Sequence, residues 1–372
     1  MHVADITMFH APSSGGVRTY LDAKHQLLAQ RPGVRASLLI PGATTERHGT
    51  RQVLAAPRLP FGEGYRFPLQ RDAWRRALIE LSPDLIEAGD PYVTAWAALD
   101  AGRELGVPVI GFYHSDLPRL AGQRLGNWAR RRLNDYVHDL YRRCQRVLAP
   151  SRVMAERLAA LGLDNVAVQP LGVDLVRFHP GRRSAEPRER LGLDDTTRLL
   201  IFVGRASREK NLPVLLETAR RLDAGYHLLL IGPGMPRRVP DNVTVIDRYT
   251  PAETIADWLA SSDALLHAGT EETFGLVALE AMASGIPVVA ARAGALIENV
   301  PLGCGQLCDP YSAPDMARAV NELFANDAPL QGRRARRHVE RHHAWSATIN
   351  GLLGHYRSLT GACPATPRQR HG

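Results

Sequence analysis

The stretch that decides the fold runs ALLHAGTEETFGLVALEAMASGIPVVAA, from Ala264 to Ala291. It opens with a short apolar run that ends at His267, and a polar turn follows that leads into apolar residues at helical spacing. A Gly-Ile-Pro sequence ends this helix, and a second apolar run begins another buried strand. The stretch therefore predicts a strand, a helix and a strand in succession, which is the repeating unit of a parallel sheet.

Two glutamates flank the glycine at the strand-to-helix turn of this stretch. Glu272 lies in the predicted loop, Phe274, Gly275 and Leu276 lie near the first helical turn, and Glu280 lies more than a turn further on. Free backbone N–H groups and the helix dipole favour an anion at that turn. Two carboxylates would repel a bare phosphate, so the pattern suits the hydroxyls of a ligand whose phosphates are neutralised elsewhere, as in a nucleotide sugar. The alternative is a solvated Glu272 and an ordinary exposed Glu280.

Length and composition indicate a soluble globular protein with two domains. The chain has 372 residues, of which 45% are apolar and 23% charged. The amino-terminal residues lack a basic leader, and no apolar run approaches the roughly 18 residues that span a bilayer, so we expect a cytoplasmic protein. The four cysteines form no paired CxxC arrangement, and the sequence contains no Asp-x-Asp, so neither a disulfide framework nor a metal site is indicated.

Apolar runs alternate with helical patterns along both halves of the chain. This alternation predicts a doubly wound parallel sheet in each half. The predicted helices of the first half lie near 16–30, 70–80, 92–105, 124–142 and 151–161. The predicted strands are Val3–Met8, Ala36–Ile40, Leu85–Ile86, Val107–Phe112 and Arg146–Ala149, then Leu199–Val203, His227–Ile231, Val243–Ile246, Ala264–His267 and Val288–Ala291.

The net charge of +8 is concentrated in one segment, Arg119–Arg146. Apolar residues recur there at helical intervals, which indicates a basic amphipathic helix or helix pair. A solvated face on a core-packed helix is one interpretation, and docking on an anionic membrane surface is the other. No nucleic-acid recognition motif accompanies the charge, so we expect no nucleic-acid partner. The arginines of the segment are Arg119, Arg124, Arg130, Arg131, Arg132, Arg142, Arg143 and Arg146.

Two cations follow the predicted strand that ends at Val203. Arg205 and Lys210 emerge at the carboxyl end of that strand, where open α/β sheets bind ligands. Arg205 can grip phosphate oxygens bidentately and Lys210 can add a point charge, so together they could neutralise a diphosphate and stabilise it as a leaving group. A surface loop with ordinary charges is the alternative.

Two further loops follow strands of the first half. Gly15 and Gly16 precede a helix, and adjacent glycines let backbone amides approach a phosphate or a sugar ring; a plain turn is the alternative. His114 and Asp116 follow another strand and could bind hydroxyls or exchange protons. The sequence has neither a Walker loop nor a Gly-x-Ser-x-Gly elbow.

In combination and in order, these motifs resemble the family 4 glycosyltransferases, which are retaining enzymes of the GT-B fold. The resemblance runs over nearly the whole chain. It implies two Rossmann-like domains facing a cleft. The implied boundaries are an acceptor-side domain at 1–170, a linker at 171–190, a nucleotide-sugar domain at 191–345, a helix crossing back at 346–360 and a disordered tail at 361–372.

The resemblance also implies roles for individual residues. Arg205 and Lys210 would hold the donor diphosphate, with Gly15 and Gly16 beside it. Glu280 would bind the ribose hydroxyls, while Glu272 and the backbone of Phe274, Gly275 and Leu276 would hold the donor sugar. His114, with Asp116, would lie near the sugar and the incoming acceptor. The implied catalytic set is Glu272, His114, Arg205 and Lys210. Such enzymes typically need no metal and no other cofactor.

The turn at His114 resembles that of mannosyltransferases, so we expect transfer of a hexose, with mannose from GDP-mannose preferred, to a lipid-linked or glycan hydroxyl. A UDP-sugar donor, a nucleotide-sugar epimerase of the same fold and a non-enzymic nucleotide-sugar sensor are the alternatives. Two departures from the family pattern stand out. His267-Ala268-Gly269 replaces the frequent Pro-Ser, and Gly294-Ala295 replaces a frequent pair of glycines.

Overall fold

The structure is a computed structural model that describes residues 1–11, 15–58 and 64–361. The chain divides into two compact units. The first comprises residues 1–150, 155–169 and the chain from 348 onward, and the second comprises 151–154 and 170–347. The segment predicted as a linker, 171–190, belongs to the second unit. Residues 362–372, which make up most of the tail predicted to be disordered, lie outside the described residues.

The first unit is built on a sheet of eight strands within the described residues. Its strands are β1 (His2–Ile6), β2 (Arg35–Gly42), β3 (Glu46–His48), β4 (Arg51–Ala55), β5 (Leu85–Ala88), β6 (Val109–Phe112), β7 (Arg146–Ala149) and β8 (Val166–Val168). Their order is β3-β4-β2-β1-β5-β6-β7-β8, and every pair is parallel except β3 with β4. The central strands β1 and β5 are buried throughout, as expected where helices cover both faces of a parallel sheet.

The first five helices are α1 (Gly16–Leu28), α2 (Arg71–Leu81), α3 (Val93–Leu105), α4 (Leu117–Tyr141) and α5 (Arg152–Ala160). Helix α4 begins earlier than the predicted residue 124. Asp116 caps it by accepting a hydrogen bond from the Arg119 N–H, and a proline occupies the first turn. Gly126 interrupts the helix with a φ of 84°. The basic segment, predicted as a helix or a helix pair, is therefore two helical segments joined at a glycine.

The second unit has a six-stranded sheet within the described residues, and all its strand pairs are parallel. The order is β11-β10-β9-β12-β13-β14. The strands are β9 (Arg198–Val203), β10 (Tyr226–Ile231), β11 (Val243–Ile246), β12 (Ala264–His267), β13 (Val288–Ala291) and β14 (Gly305–Cys308). The helices are α6 (Glu186–Arg190), α7 (Leu212–Arg221), α8 (Ala252–Ser261), α9 (Leu276–Ala283), α10 (Leu296–Asn299), α11 (Ala313–Ala325) and α12 (Ala328–His342).

The last helix, α13 (Trp345–Thr360), packs against the first unit through most of its length. The Tyr356 hydroxyl donates a hydrogen bond of 2.6 Å to Glu87 of β5. Arg146 of β7 donates to the Ser358 hydroxyl at 2.8 Å. The predicted fold class, two parallel-sheet α/β domains, is confirmed. No helix in the described part of the chain is long and apolar enough to cross a bilayer.

Candidate active site

Two loops of the second unit carry most of the predicted site residues, and the sheet order makes them neighbours. Strands β9 and β12 pair in parallel, so the loops that follow them leave the same edge of the sheet. The side-chain amide of Asn211 donates to the Ala268 carbonyl at 2.9 Å, and the Thr270 N–H donates to the Glu209 carbonyl at 3.2 Å. These two bonds tie the loop of Arg205 and Lys210 to the loop of Glu272.

Lys210 and Glu272 form an ion pair across the two loops. The Nε2 atom of His267 lies 3.3 Å from the Oε1 atom of Glu272, and the His267 ring is fully buried. Its Nδ1 atom accepts a hydrogen bond from the Gly269 N–H at 3.1 Å, so a neutral ring carries its proton on Nε2, facing Glu272. Burial alone would raise the pKa of Glu272, but Lys210 and His267 outweigh it and hold that pKa well below its usual range. Glu272 is therefore ionised at neutral pH.

The backbone around Glu272 is held by hydrogen bonds to three successive carbonyl groups. The Glu272 carbonyl accepts from the Ala295 N–H at 2.9 Å, and the next carbonyl, that of Thr273, accepts from the Ser151 hydroxyl at 2.9 Å. The Phe274 carbonyl accepts from the side-chain amide of Asn299. Each carbonyl has its own donor, two from α10 and its cap and one from Ser151, so the loop has little freedom to move.

Glycines permit the close approaches at this loop. Gly275 caps α9 with a φ of 78°, a left-handed conformation that favours glycine. A Cβ atom at Gly294, whose φ is 53°, would lie 2.5 Å from the Glu272 carbonyl oxygen. Ala295 has an ordinary φ of −69°. The departure from a glycine pair at 294–295 is therefore accommodated without strain, because only the first position needs glycine.

Glu280 lies one turn along α9 and differs from Glu272 in its surroundings. Its side chain is half-buried and makes no hydrogen bond or ion pair with any other residue that the structure describes. Burial raises the pKa of Glu280 to about 8; Asp174 adds to the increase and Arg177 opposes it. At neutral pH this carboxyl group is largely protonated and can both donate and accept a hydrogen bond.

Arg205 follows β9 and its side chain is exposed. Its backbone is fixed, because the Ser207 N–H donates to the Arg205 carbonyl at 2.9 Å and the Ala206 N–H donates to the Pro233 carbonyl at 3.0 Å. In the second unit the structure therefore brings Lys210 and Glu272 into contact and places Arg205 at the start of the same loop as Lys210.

The remaining predicted site residues belong to the first unit. Gly15 caps α1 and Gly16 begins it, and both residues are exposed. A Cβ atom at Gly15 would have no neighbour within 4 Å, so the surroundings do not demand glycine there. The serines that precede them, residues 13 and 14, lie outside the described residues.

His114 is buried just beyond β6. Its ring stacks on Phe112 with centroids 4.1 Å apart, and Tyr20 lies 5.2 Å away. Burial lowers the pKa of His114 to about 3, and the positive charge of Lys24 adds to the decrease. The ring is therefore neutral near pH 7, which favours hydrogen bonding to a hydroxyl over proton exchange.

Asp116 is buried and engaged on both carboxylate oxygens. Oδ1 accepts from the Tyr113 hydroxyl at 3.1 Å and from the Arg119 N–H at 3.3 Å, while Oδ2 accepts from Arg157 at 2.9 Å. These bonds anchor the start of α4 and the turn before it. A role toward an acceptor stays a prediction, as do the roles of the other site residues.

Within residues 1–11, 15–58 and 64–361, no group of three or more His, Cys, Asp or Glu side chains is arranged to hold a metal ion. The expectation that the protein works without a metal stays a prediction.

Comparison with known proteins gives two family matches. The glycosyltransferase family 4 model matches residues 14–177, and a model of glycosyl transferases group 1 matches residues 197–326. A GDP-mannose-dependent alpha-(1-6)-phosphatidylinositol dimannoside mannosyltransferase of Mycobacterium tuberculosis is 34% identical over 362 residues, covering 91% of this chain and 92% of that protein. The chain belongs to glycosyltransferase family 4.

A further relative and two solved structures are also similar to this chain. A GDP-mannose-dependent alpha-mannosyltransferase of Corynebacterium glutamicum is 29% identical and covers 78% of this chain and 71% of its own. Sucrose-phosphate synthase from Thermosynechococcus elongatus superposes with a TM-score of 0.81 at 20% identity, covering 98% of this glycosyltransferase and all of that chain. HepE of Anabaena, solved with UDP-glucose, superposes with a TM-score of 0.76 at 18% identity, covering 96% of this chain and 100% of HepE. These structures have the GT-B fold, which confirms the predicted fold.

Sequence reasoning missed three side chains of this glycosyltransferase that shape the Glu272 loop. His267 was noted only as a departure from the family pattern, whereas it contacts Glu272 directly. Asn299 and Ser151 hold the loop carbonyls from positions distant in sequence. A buried histidine at the end of an apolar strand, directly before an acidic loop, is the one signal that could have indicated the first of these contacts.

Proposed function

We propose that this glycosyltransferase moves a mannosyl group from GDP-mannose to a hydroxyl of a lipid-linked or glycan acceptor, with retention of the anomeric configuration. The observation that carries the proposal is the contrast of two glutamates on one turn: Glu272 is ionised and paired with Lys210, whereas Glu280 is protonated and has no partner in the described residues. The mannosyl group and the lipid-linked acceptor are supported by the mycobacterial relative, whose name specifies GDP-mannose and a phosphatidylinositol dimannoside.

The donor diphosphate would be held by Arg205 and Lys210. Both cations lie at the carboxyl edge of the sheet. The backbone amides at the start of α9 add a partial positive charge, which also favours an anion. Lys210 would then share its charge between Glu272 and the phosphate oxygens. Each charged hydrogen bond of this kind is worth about 1.5–3 kcal/mol.

The two glutamates would bind hydroxyls of different parts of the donor. Glu272 is an ionised acceptor fixed by a rigid loop, and it suits hydroxyl groups of the sugar. Glu280 can both donate and accept, and it suits the paired hydroxyls of the ribose. His114, neutral and buried in the first unit, would accept or donate one hydrogen bond to the sugar or to the acceptor.

In the proposed reaction, the bond between the anomeric carbon and the diphosphate oxygen breaks, and the acceptor oxygen bonds to that carbon from the same face. The acceptor proton passes to the departing phosphate oxygen, which lies on that face. Arg205 and Lys210 stabilise the charge that grows on the diphosphate. No nucleophile from the enzyme is needed.

A thermal-shift panel of GDP-mannose, UDP-glucose, UDP-galactose and UDP-N-acetylglucosamine tests the donor. We expect GDP-mannose to raise the melting temperature most, since only a ligand that binds the folded state stabilises it. A larger increase in melting temperature with a UDP-sugar would contradict GDP-mannose as the donor and indicate that UDP-sugar instead. Incubation without acceptor, followed by analysis of the sugar, distinguishes an epimerase, which would release an epimerised nucleotide sugar.

Amine-selective acetylation tests the diphosphate site directly. Lys210 is 21% exposed, whereas Lys24 is fully buried. We expect the reagent to modify Lys210 and to leave Lys24 intact, and we expect bound GDP-mannose to protect Lys210. Peptide mass spectrometry reads both lysines in one sample. Modification of Lys210 at the same rate with and without saturating donor would contradict the assignment.

We further propose that the cytoplasmic protein associates with the inner face of an anionic membrane through α4. Leu125 and Trp128 of this helix are 72% and 67% exposed. They lie among Arg130, Arg131 and Arg132, which are exposed and make no ion pair within the described chain. Exposed apolar side chains among arginines suit a membrane interface.

Flotation with vesicles tests this association. Binding should increase with the anionic lipid fraction and should fall when Arg130, Arg131 and Arg132 are replaced together by alanine. Arg142→Ala with Arg143→Ala is the matched control, because both arginines already pair with Asp139. Equal flotation of the triple variant and the wild type would exclude this surface.

A further inference from the structure

Helix α12 of the second unit carries a basic groove on one side. The groove has a volume of about 330 Å³ and is lined by five side chains from this helix: Arg334, Arg337, His338, Arg341 and His342. Their spacing of three and four residues places them on one face over two turns. None of the residues that we assign to the donor site lines this groove.

Among the described residues, the arginines of the groove have no acidic partners. Arg334, Arg337 and Arg341 make no ion pair with any acidic residue that the structure describes, and Arg337 and Arg341 are exposed. Neighbouring arginines behave differently. Arg336, on the same helix but outside the groove, pairs with Glu340 at 2.6 Å, and Arg318 of α11 pairs with Glu322 at 2.6 Å. The groove thus gathers three arginines that have no acidic partner among the described residues.

Helix stability does not account for this arrangement. Like charges four residues apart, such as Arg337 and Arg341, destabilise a helix by a few tenths of a kcal/mol. The helix dipole favours Arg341 and His342, which lie in the last turn, but it does not extend to Arg334 or Arg337 in the middle of α12. A bound anion would remove the repulsion between the arginines.

The histidines are placed to respond to such an anion. The rings of His338 and His342 lie 4.7 Å apart, between Arg334, Arg337 and Arg341. Burial and the neighbouring His342 lower the pKa of His338. An anion in the groove would favour the protonated form of His338.

We propose that this groove binds an anion carrying two or more phosphate groups, either free in solution or on a lipid headgroup. Arginine guanidinium groups suit phosphate because their fork of N–H donors matches two phosphate oxygens. The five side chains lie between positions 334 and 342, a rise of about 12 Å at 1.5 Å per residue, so one phosphate cannot contact all of them. The volume lies at the lower end of the range of about 300–1,000 Å³ for small-molecule sites.

The test follows the ring signals of His338 and His342 by NMR in the full-length protein, with assignments from His338→Gln and His342→Gln. Sodium tripolyphosphate is the soluble probe, and vesicles of phosphatidylinositol in phosphatidylcholine are the lipid probe. We expect saturable shifts of both signals with tripolyphosphate, and at least about tenfold weaker binding in the Arg337→Ala, Arg341→Ala double variant, which corresponds to about 1.4 kcal/mol. No donor sugar is present, so the result does not depend on the proposed transferase activity.

Arg333→Ala is the matched control, because Arg333 is exposed on the same helix and lies outside the groove. It should bind tripolyphosphate as the wild type does. Signals that respond to vesicles and not to tripolyphosphate would support a lipid headgroup as the source of the phosphates. The proposal is overturned if neither probe moves the two signals, or if the double variant responds as strongly as the wild type.

Discussion

The chain has only two lysines, one in each unit, and each forms an ion pair with a glutamate. Lys24 of α1 is fully buried, with its Nζ atom 2.5 Å from Asp5 and 2.7 Å from Glu87. Lys210 is 21% exposed and pairs with Glu272, which is 15% exposed. One lysine is sealed inside a domain core, and the other lies at the carboxyl edge of a sheet.

The difference separates a structural ion pair from one that can bind a ligand. Asp5 also accepts from His25 at 2.8 Å, and the second oxygen of Glu87 accepts from Tyr356 at 2.6 Å. The cluster around Lys24 therefore has its own protein partners and no room for another molecule. Lys210 keeps solvent access, so a phosphate could share its charge. An ion pair alone does not indicate function; its exposure and its place on the sheet do.

The largest effect should come from Lys24→Met. Burial opposes the charge on Asp5, yet Lys24 and His25 hold the pKa of Asp5 well below its usual range. Removing Lys24 leaves that buried carboxylate without its main partner, and such a loss costs about 3–5 kcal/mol of stability. Urea unfolding measures it.

Lys210→Met is the internal comparison, since it removes the other lysine from a partly exposed pair and should cost about 1 kcal/mol. Arg75→Met, which breaks exposed pairs on α2, is the surface control and should cost no more than about 1 kcal/mol. If Lys24→Met and Lys210→Met were equally destabilising, the distinction between a sealed and an open pair would be wrong.

The second effect concerns donor binding. Lys210→Ala and, separately, Arg205→Ala should weaken the affinity for GDP-mannose by about 1.5–3 kcal/mol each, because each removes a charged hydrogen bond to the diphosphate. Isothermal titration calorimetry gives the dissociation constants directly.

Arg220→Ala is the control, an exposed arginine of α7 that pairs with Glu217 and lies in the same unit. It should leave the affinity unchanged. If both Lys210→Ala and Arg205→Ala bound GDP-mannose with wild-type affinity, the diphosphate would not bind at this edge of the sheet.

The fold could be predicted because its signals are local. A buried parallel strand is a short apolar run, and the strand Val243–Ile246 was predicted with the bounds that the structure shows. Two of the four strands that were missed, β3 and β4, lack this signal. β3 is exposed throughout and β4 is only half-buried, so their composition does not differ from that of a loop. The early start of α4 depends on Asp116 as a cap, a polar residue that the apolar pattern does not reveal.

The contacts of the site could be predicted only in part. The spacing of Glu272, Gly275 and Glu280 was visible, since all three lie close together in the sequence, in the loop before α9 and in α9 itself. The opposite protonation of the two glutamates was not visible, because it depends on the tertiary structure: Lys210 lies beside Glu272 and lowers its pKa, whereas burial raises the pKa of Glu280. Charge state follows from tertiary contacts, which no local pattern encodes.

The smallest effect tests that difference in protonation through Glu280→Gln. The pKa of Glu280 is about 8 in the folded protein, against an ordinary value of 4.5. Between these values the folded state keeps a proton that the unfolded state has lost, so wild-type stability falls as pH rises through this window. Glutamine cannot ionise. The free energy of unfolding of the variant should therefore increase relative to that of the wild type as pH rises. We expect a difference of only about 1–2 kcal/mol at pH 8–9, because the half-buried carboxyl retains some solvent access.

Asp194→Asn is the control with the opposite shift. Hydrogen bonds from Thr196 and Thr197 lower the pKa of Asp194 to about 2, so this carboxylate is ionised above pH 5 in both states and its replacement should change stability equally at every pH in the window. A pH-independent difference for Glu280→Gln would mean that Glu280 is ionised in the folded protein, as Glu272 is. Glu280 would then need a cation to bind beside it, and its proposed pairing with neutral ribose hydroxyls would lose its physical basis.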